Sequence, residues 1–434
     1  MALATLGCKV NQYESAGILE ALDASIFTVV PFNVKADCYI INTCTVTGRT
    51  DYQSRQLIRR AMRLNPNASI IVTGCYAQIA FAEIARMPGV TLVTGTAEKE
   101  KIPYLLKNMG KDHTQIFVGN AGEVREFSGL APKVFPGRTR AFLKIQDGCN
   151  SRCSYCIVPH ARGRSRSLPE EEAIRRIEIL AQAHYREVVL TGIHLGIYGQ
   201  DLIPPLNLIT LLKHIDTRKS VERLRLSSIE ITEISDDMLL LMAKSPVFCR
   251  HLHIPLQSGD DRILKAMNRN YDTDFFRSRL DGIVRTVPGV SIGIDVMAGF
   301  PEESEEAFHN TLDLIEDLPA AYLHVFPYSD RPGTVASSLP GKVEEKEKKR
   351  RVNTLRTVGQ RKRNAFAERF KGQKLSVLVE DKDRSTRFIR GYSDNYIPVL
   401  ITDGDMTLSH RVVEVVPYAV SDGKLLGRIM NHDG

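Results

Sequence analysis

Between residues 142 and 326 the chain repeats one unit six times: a short apolar run, in most cases followed by a stretch with helical periodicity. The runs are Phe142–Gln146, Glu187–Thr191, Arg223–Ser227, His251–Ile254, Ser291–Met297 and Tyr322–Phe326. The helical stretches include Pro169–Ala183, Asp260–Met267, Asp274–Arg285 and Ser304–Asp317. Strands that alternate with helices pair in parallel, because the helix carries the chain back to the starting edge. Six such units are too few to close an eight-stranded barrel, so an open partial (β/α)6 barrel is expected, with its chemistry at the carboxyl ends of the strands.

The flanks have other rhythms. Up to Lys133, strand-like runs at Ala2–Leu6, Cys38–Asn42, Ser69–Thr73 and Thr91–Thr94 alternate with helical stretches at Tyr13–Leu22 and Asp51–Leu64. This predicts a parallel-sheet α/β domain. The second helix carries Arg55, Arg59, Arg60 and Arg63 on its polar side. After Lys371, five runs separated by Gly and Asp turns (Lys374–Glu380, Arg387–Tyr392, Tyr396–Ile401, Arg411–Val416 and Leu425–Met430) predict a small OB-like β-barrel. The expected division is therefore 1–133, 134–371 and 372–434, all within the α/β class. A length of 434 residues suits about three domains.

Charge is concentrated rather than high. The chain has 58 basic and 51 acidic residues, and the segment Lys342–Lys371 alone holds 12 Lys and Arg against 4 Glu. The remainder is 46 basic against 47 acidic residues, so all the net positive charge lies in one stretch. Such a stripe is either an electrostatic footprint for nucleic acid or a solvated helix face joining two domains. No apolar run approaches the roughly 18 residues of a membrane-spanning helix. The start, Met1-Ala-Leu-Ala-Thr-Leu-Gly-Cys8, lacks the basic and apolar regions of a signal peptide. A cytoplasmic protein without membrane association is expected, and its eight cysteines then point to metal or redox chemistry rather than disulfides.

Three of these form Cys149-Asn-Ser-Arg-Cys153-Ser-Tyr-Cys156, just past the first run of the central domain. Three thiolates on a tight loop bind three irons of a [4Fe–4S] cluster and leave the fourth open to an external ligand. The open iron would chelate the amino and carboxylate groups of S-adenosylmethionine. Structural zinc is the alternative, with His160 as a fourth ligand. A second set shares one position without sharing a loop. Cys8, Cys44 and Cys75 each fall one or two residues beyond a predicted strand of the first domain, next to Gly or Thr. The carboxyl ends of parallel strands form one crevice, so the three either converge on a second cluster or are separate buried thiols.

The words around these cysteines carry a resemblance. Cys-x3-Cys-x2-Cys with Tyr155 before the last cysteine, backed by a partial barrel, resembles the radical S-adenosylmethionine enzymes. Thr5-Leu-Gly-Cys-Lys-Val-Asn-Gln-Tyr-Glu-Ser15, Asn42-Thr-Cys-Thr-Val46, Gly74-Cys-Tyr-Ala-Gln78 and Gln146-Asp-Gly-Cys-Asn150 are similar to their methylthiotransferase branch. So are Pro159-His-Ala-Arg-Gly163, Leu190-Thr-Gly-Ile-His-Leu-Gly196, His253-Ile-Pro-Leu-Gln-Ser-Gly259 and Ala298-Gly-Phe-Pro-Glu-Glu303. The resemblance spans the chain, and its last part looks like a TRAM RNA-binding domain.

The resemblance implies two [4Fe–4S] clusters, one on Cys149, Cys153 and Cys156 and an auxiliary one on Cys8, Cys44 and Cys75. It implies that one S-adenosylmethionine methylates cluster-bound sulfur and a second yields a radical that opens a C–H bond to the methylthio group. Tyr155, Gly192, Gln257, Ser258 and Gly299 are the implied cofactor contacts. Among acceptors, the wording is most similar to the branch acting on threonylcarbamoyladenosine beside the tRNA anticodon, ahead of those acting on isopentenyladenosine or a ribosomal-protein aspartate. A tRNA anticodon stem-loop is then the partner, with an external electron donor and a sulfur donor the sequence does not name. Arg162, Arg164 and Arg166, if extended, share one face for phosphates, and Arg331 is the candidate for the threonylcarbamoyl carboxylate. Cys38 and Cys249 read as core residues. His251 and His253 share a strand face, for a metal pair or, more simply, for packing. Outside enzymes, the rival is a zinc-stabilised RNA-binding protein.

Overall fold

A computed structural model describes residues 1–108, 113–383 and 386–430. Its first sheet is wholly parallel, in the order β1 (Ala2–Thr5), β2 (Cys38–Thr43), β3 (Ser69–Gly74), β4 (Val90–Thr94) and β5 (Gln115–Phe117). Every residue of β2 and β3 is buried, as expected of central strands covered on both faces. Alternate side chains feed two cores. Ile41, Ile70 and Val72 pack with Ile58 on one face, and Ile40, Ile71 and Leu92 pack with Ile18 on the other. β5 was not anticipated, since three residues of an edge strand carry no readable period.

The central domain begins with β6 (Ala141–Lys144). The run expected to continue to Gln146 breaks there, and β7 (Gln146–Asp147) turns away to pair antiparallel with β8 (Arg166–Ser167). β9 (Glu187–Thr191) and β10 (Arg223–Leu226) complete one parallel sheet with β6; β11 (His251–Gln257), β12 (Ser291–Ala298) and β13 (Tyr322–Pro327) form another. Two single bridges, Leu224 with Phe248 and Ser228 with His253, join the sheets into one wall of six parallel strands. This is the open partial barrel. The helix Lys9–Glu20 of the first domain packs on its β6 edge.

The last five strands close on themselves in the order β14 (Leu375–Lys382), β15 (Ile389–Ser393), β16 (Pro398–Ile401), β18 (Lys424–Ile429) and β17 (Val412–Ser421). The basic segment is the helix Glu345–Glu368. Val352, Leu355 and Val358 join the central core, and Phe366 and Ala367 join that of the closed barrel. Much of its charge is already matched. Arg350 and Arg351 reach Glu305, Arg351 also reaches Glu303, Arg361 pairs with Glu316 and Lys342 with Asp330. The stretch joins two domains, in line with the second of the two readings its charge left open. No helix among the described residues is long and apolar enough to cross a membrane.

Candidate active site

Beyond β7 the chain forms the loop that carries Cys149, Cys153 and Cys156, held by backbone bonds from Cys149 N to the Gly163 carbonyl (3.0 Å) and from Cys156 N to that of Cys153 (3.0 Å). Segments that follow neighbouring barrel strands supply polar partners to the sulfurs. Cys149 Sγ lies 3.3 Å from His194 Nδ1, and His194 Nε2 lies 2.5 Å from Glu233. Arg269, itself paired with Glu230, donates to Cys153 Sγ at 3.5 Å. Burial raises the Cys149 thiol, but the hydrogen bond and charge of His194 outweigh it and the net shift is downward. Burial opposes charge on His194 too, yet its bonds to Cys149 and Glu233 raise it to about 10. Desolvation pushes the half-buried Cys156, which lacks a cationic contact of this kind, up to about 12. A cavity of about 340 Å³ opens beside Cys153, lined by His194, Glu230, Glu233, Arg269 and Tyr271 among others.

The other three cysteines converge as their strands require. Cys8, Cys44 and Cys75 follow β1, β2 and β3, and each lies within electrostatic reach of the other two. Two glycines allow the close approach. A Cβ on Gly7 (φ 96°) would sit 2.7 Å from Cys44 Cβ, and one on Gly74 (φ 100°) would sit 2.3 Å from the Thr43 carbonyl oxygen. Burial pushes Cys44 up to about 11. Behind Cys75 lies Arg162, whose Nε donates to the Cys75 sulfur at 3.3 Å. Its guanidinium also bonds Glu14 (2.9 Å), Asp147 (2.8 Å) and Asn11 (2.6 Å). Lys99 and Lys144 complete this buried network on Glu14, and Lys144 also meets Asp147.

Both sets fit an iron–sulfur group better than one zinc ion. In neither do all three sulfurs come within 4.8 Å of one another, whereas Zn–S bonds of about 2.3 Å hold thiolates about 3.8 Å apart. His160, the suggested fourth zinc ligand, is exposed. Around Glu14 and Asp147, the four buried cations Lys99, Lys144, Arg162 and Arg166 exceed two carboxylates.

Between the two sets lies a cavity of about 170 Å³, lined by Val46 and Thr47 from the Cys44 loop and by Tyr155, Cys156, Gln257, Met297 and Phe326 from the barrel. Gln257, at the end of β11, adopts φ 72° and leaves its side-chain oxygen buried without a partner. The two features together set Gln257 apart from the other residues of β11. Ser258 is tied to Thr311 and the Asp260 amide instead. Gly192 packs on Gln146, and Gly299 lies under Lys348, where a Cβ would meet Cγ at 2.1 Å.

The arginines depart from expectation. Arg162 ends a short helix, Val158–Arg162, and is 1% exposed. Arg166 is buried in β8 and donates to the Arg162 and Arg164 carbonyls, while Arg164 alone is exposed. The three do not share one face, because Pro159 in the first helical turn winds the segment that an alternating pattern assumed extended. Arg331 is buried and engaged with Asp51 (2.7 Å) and Thr45 (2.6 Å). His251 and His253 both lie against Tyr322 Oη, at 2.8 and 3.2 Å. His253 groups with Asp295 and His324 rather than with His251. Cys38 and Cys249 are buried.

Residues 1–95 match the profile described as "Uncharacterized protein family UPF0004", and residues 143–315 match "Radical SAM superfamily". The chain is 41% identical, over 96% of its length and 93% of the relative's, to the threonylcarbamoyladenosine tRNA methylthiotransferase MtaB of Bacillus subtilis. It belongs to the radical S-adenosylmethionine methylthiotransferases. A second relative, the tRNA-2-methylthio-N(6)-dimethylallyladenosine synthase of Carboxydothermus hydrogenoformans, is 31% identical over 97% of this chain and 96% of its own. Among solved structures, the radical S-adenosylmethionine methyltransferase TsrM of Kitasatospora setae shares the fold at 17% identity, with a TM-score of 0.56 over 77% of this chain and 76% of that one. Membership brings S-adenosylmethionine and a [4Fe–4S] cluster. In this methylthiotransferase, sequence reasoning passed over Glu14, Lys99, Lys144, Glu230, Glu233 and Arg269. His194 and Glu14 lie within the family's motif words, but their partners are at least 39 and 85 residues away respectively, beyond any local pattern.

Proposed function

We propose that this methylthiotransferase inserts a methylthio group at C2 of N6-threonylcarbamoyladenosine next to the tRNA anticodon. The observation that carries the reading is the pair of three-cysteine sites, one in each of two domains, with a cavity between them touching Cys156 on one side and the Cys44 loop on the other. The acceptor follows the relative with the higher identity, 41% against 31%.

On this reading Cys149, Cys153 and Cys156 hold the cluster that binds S-adenosylmethionine, and Cys8, Cys44 and Cys75 hold a second. Together the bound groups supply a hydrogen-abstracting radical and a methylated sulfur. The chain's own residues position them. Tyr155 and Gln257 face the cavity between the sites, with Gly192, Ser258 and Gly299 shaping the strand ends around the cofactor. His194 and Arg269 orient Cys149 and Cys153, and Arg162 orients Cys75. Arg331 holds the Cys44 loop to the barrel.

The anticodon stem approaches along the helix Gly48–Leu64. It begins four residues after Cys44, and Arg49, Arg59, Arg60 and Arg63 on it are exposed without an ion pair among the described residues. With Tyr52, exposed at 55%, they recur at helical spacing and offer phosphates a positive face leading from the site. The closed barrel serves as a TRAM-like RNA-binding domain, Arg164 is the remaining phosphate candidate near the loop, and 1–133, 134–371 and 372–434 are the functional units. The enzyme works in the cytoplasm with an external one-electron donor and a source of replacement sulfur.

The test is an anaerobic turnover of the iron–sulfur-loaded enzyme with S-adenosylmethionine, reductant and tRNA bearing threonylcarbamoyladenosine, read by nucleoside mass spectrometry. A methylthio product confined to that nucleoside is expected. Cys153→Ala should abolish cofactor cleavage, whereas Cys44→Ala should keep cleavage and lose sulfur insertion. Product on isopentenyladenosine alone would transfer the enzyme to that branch.

A further inference from the structure

Three adjacent strands of the central domain carry a further group of polar side chains below the cavity between the cysteine sets. Gln257, Met297 and Phe326, which line that cavity, stand on β11, β12 and β13. Asp295 and His324 lie two residues before Met297 and Phe326 on the same strands, hence on the same face and about 7 Å deeper. The two are direct partners in the β12–β13 register. His253 lies two residues before Pro255, the β11 partner of Asp295, and joins the same face.

One nitrogen of each imidazole and one carboxylate oxygen lie within 4.8 Å of one another. Asp295 Oδ1 is 2.8 Å from His253 Nε2 and 3.4 Å from His324 Nδ1. Ligand atoms about 2.1 Å from a tetrahedral ion stand about 3.4 Å apart, so small adjustments bring this set onto one ion. Among the described residues Asp295 pairs with no Lys or Arg. Burial opposes its charge, but the hydrogen bonds of His253 and His324 outweigh it and hold the carboxyl well below its ordinary range. A carboxylate anion only 20% exposed calls for positive charge beside it, from an imidazolium or from a metal ion.

The surroundings favour the metal ion. His253 Nδ1 lies 3.2 Å from Tyr322 Oη, and a metal-binding imidazole has its other nitrogen fixed by an outer partner in this way. Tyr322 is itself held in place. Its Oη also meets His251 Nε2 at 2.8 Å, and its ring fills the space over Gly293, where a Cβ would sit 2.2 Å from Cζ. His324 stands on the edge strand β13 with its side chain 59% exposed. It lines a cavity of about 240 Å³ together with Tyr322, Arg363, Tyr392 and Tyr396, which gives an ion a way in and leaves room for exchangeable ligands. The guanidiniums nearby are engaged away from Asp295: Arg225 bonds Glu187 at 2.6 Å, and Arg363 lies over the Tyr322 ring at 5.9 Å.

We propose that His253, Asp295 and His324 bind a divalent first-row transition ion. Two imidazoles and one carboxylate suit zinc, iron(II) or manganese(II) over magnesium and calcium, which take oxygen ligands. The site shares no ligand with either three-cysteine set, and the inference depends neither on the acceptor nor on the second cluster.

The test uses the full-length, iron–sulfur-loaded enzyme in its oxidised, diamagnetic state, with Mn2+ as the probe and the electron paramagnetic resonance signal of free Mn2+ as the readout. Wild type should take up one Mn2+ per chain, and equimolar Zn2+ should displace it, because nitrogen and oxygen sites rank zinc above manganese. Tyr322→Phe, which removes only the outer hydrogen bond, should weaken uptake by about 10-fold, and His324→Ala or Asp295→Asn, which remove a ligand, by about 100-fold or more. Iron content and circular dichroism equal to wild type show that a variant is folded. Three results overturn the site: no uptake by wild type, which leaves the three side chains as a hydrogen-bonded imidazole–carboxylate group; uptake unchanged in His324→Ala; or displacement by Mg2+ as readily as by Zn2+, which marks adventitious binding at surface carboxylates. The first and third need no variant to fold.

Discussion

Replacing Glu14 by Gln removes one negative charge from a place where three cations converge. Its two oxygens receive Lys144 at 3.1 Å and Arg162 at 2.9 and 3.1 Å, and Lys99 bonds it as well. The four side chains are 1–2% exposed, so water does not replace the lost carboxylate. Removing one partner of a buried ion network costs about 3–5 kcal/mol, because it strands the other charges. With a urea slope of about 2 kcal/mol/M, the unfolding midpoint of the first domain should fall by about 2 M. Burial alone would raise the Glu14 carboxyl, but Arg162, Lys99 and Lys144 outweigh it and hold it well below its ordinary 4.5. Its stabilisation is therefore fully present above pH 4.5 and is lost as pH falls below that value. The difference between wild type and Glu14→Gln should be flat from pH 8 to about pH 5.5 and shrink in more acidic buffer. The assay is anaerobic urea unfolding followed by far-ultraviolet circular dichroism and tyrosine fluorescence, since the chain has no Trp. Removal of Asp237, which pairs with Lys213 at the surface, is the control. A midpoint shift no larger than the control's, or one that grows toward acid, would refute the reasoning.

Two further outcomes follow from the site. Gly74→Ala places a Cβ 2.3 Å from the Thr43 carbonyl oxygen, so the Cys44 and Cys75 loops must part; iron should fall from about eight to about four per chain, and eight retained irons would dismiss the second cluster's dependence on this close approach. Changing Arg59, Arg60 and Arg63 to Gln should weaken tRNA binding evenly across sequences and lower the salt slope of log affinity by about 1 for each phosphate no longer neutralised; an unchanged slope would remove this helix from the RNA path.

What the sequence made legible was whatever depends on one strand and its end. The convergence of Cys8, Cys44 and Cys75 was legible as one of two readings because the carboxyl ends of parallel strands share a crevice, and the six central runs because their apolar period is local. What it hid were pairings across distance. Arg351 reads as part of a positive stripe until Glu303 and Glu305, more than 45 residues earlier, take up its charge. Arg162 reads as a phosphate contact until the turn begun near Pro159 carries it inward to Glu14, 148 residues away. Local alternation holds only while the segment stays extended, and a proline in a first helical turn is the physical sign that it does not.

These hidden pairings share one geometry. Thr45, next to Cys44, accepts from Arg331; Asn11, three residues after Cys8, accepts from Arg162; and Cys75 itself accepts from Arg162. Gly48 donates to Ser329 at 2.9 Å, and Thr96 donates to the Ala161 carbonyl at 2.8 Å. Each loop bearing a first-domain cysteine is thus fastened to the barrel within three residues of its sulfur. An apolar contact of equal area would permit small slides at little cost, since burial is indifferent to direction. Buried charged groups tolerate only arrangements that satisfy them all. Two three-cysteine sites held in different domains, with a cavity between them, need that kind of joint. The interface that looks costly as a source of stability is the one that fixes where Cys8, Cys44 and Cys75 stand relative to the Cys149–Cys156 loop.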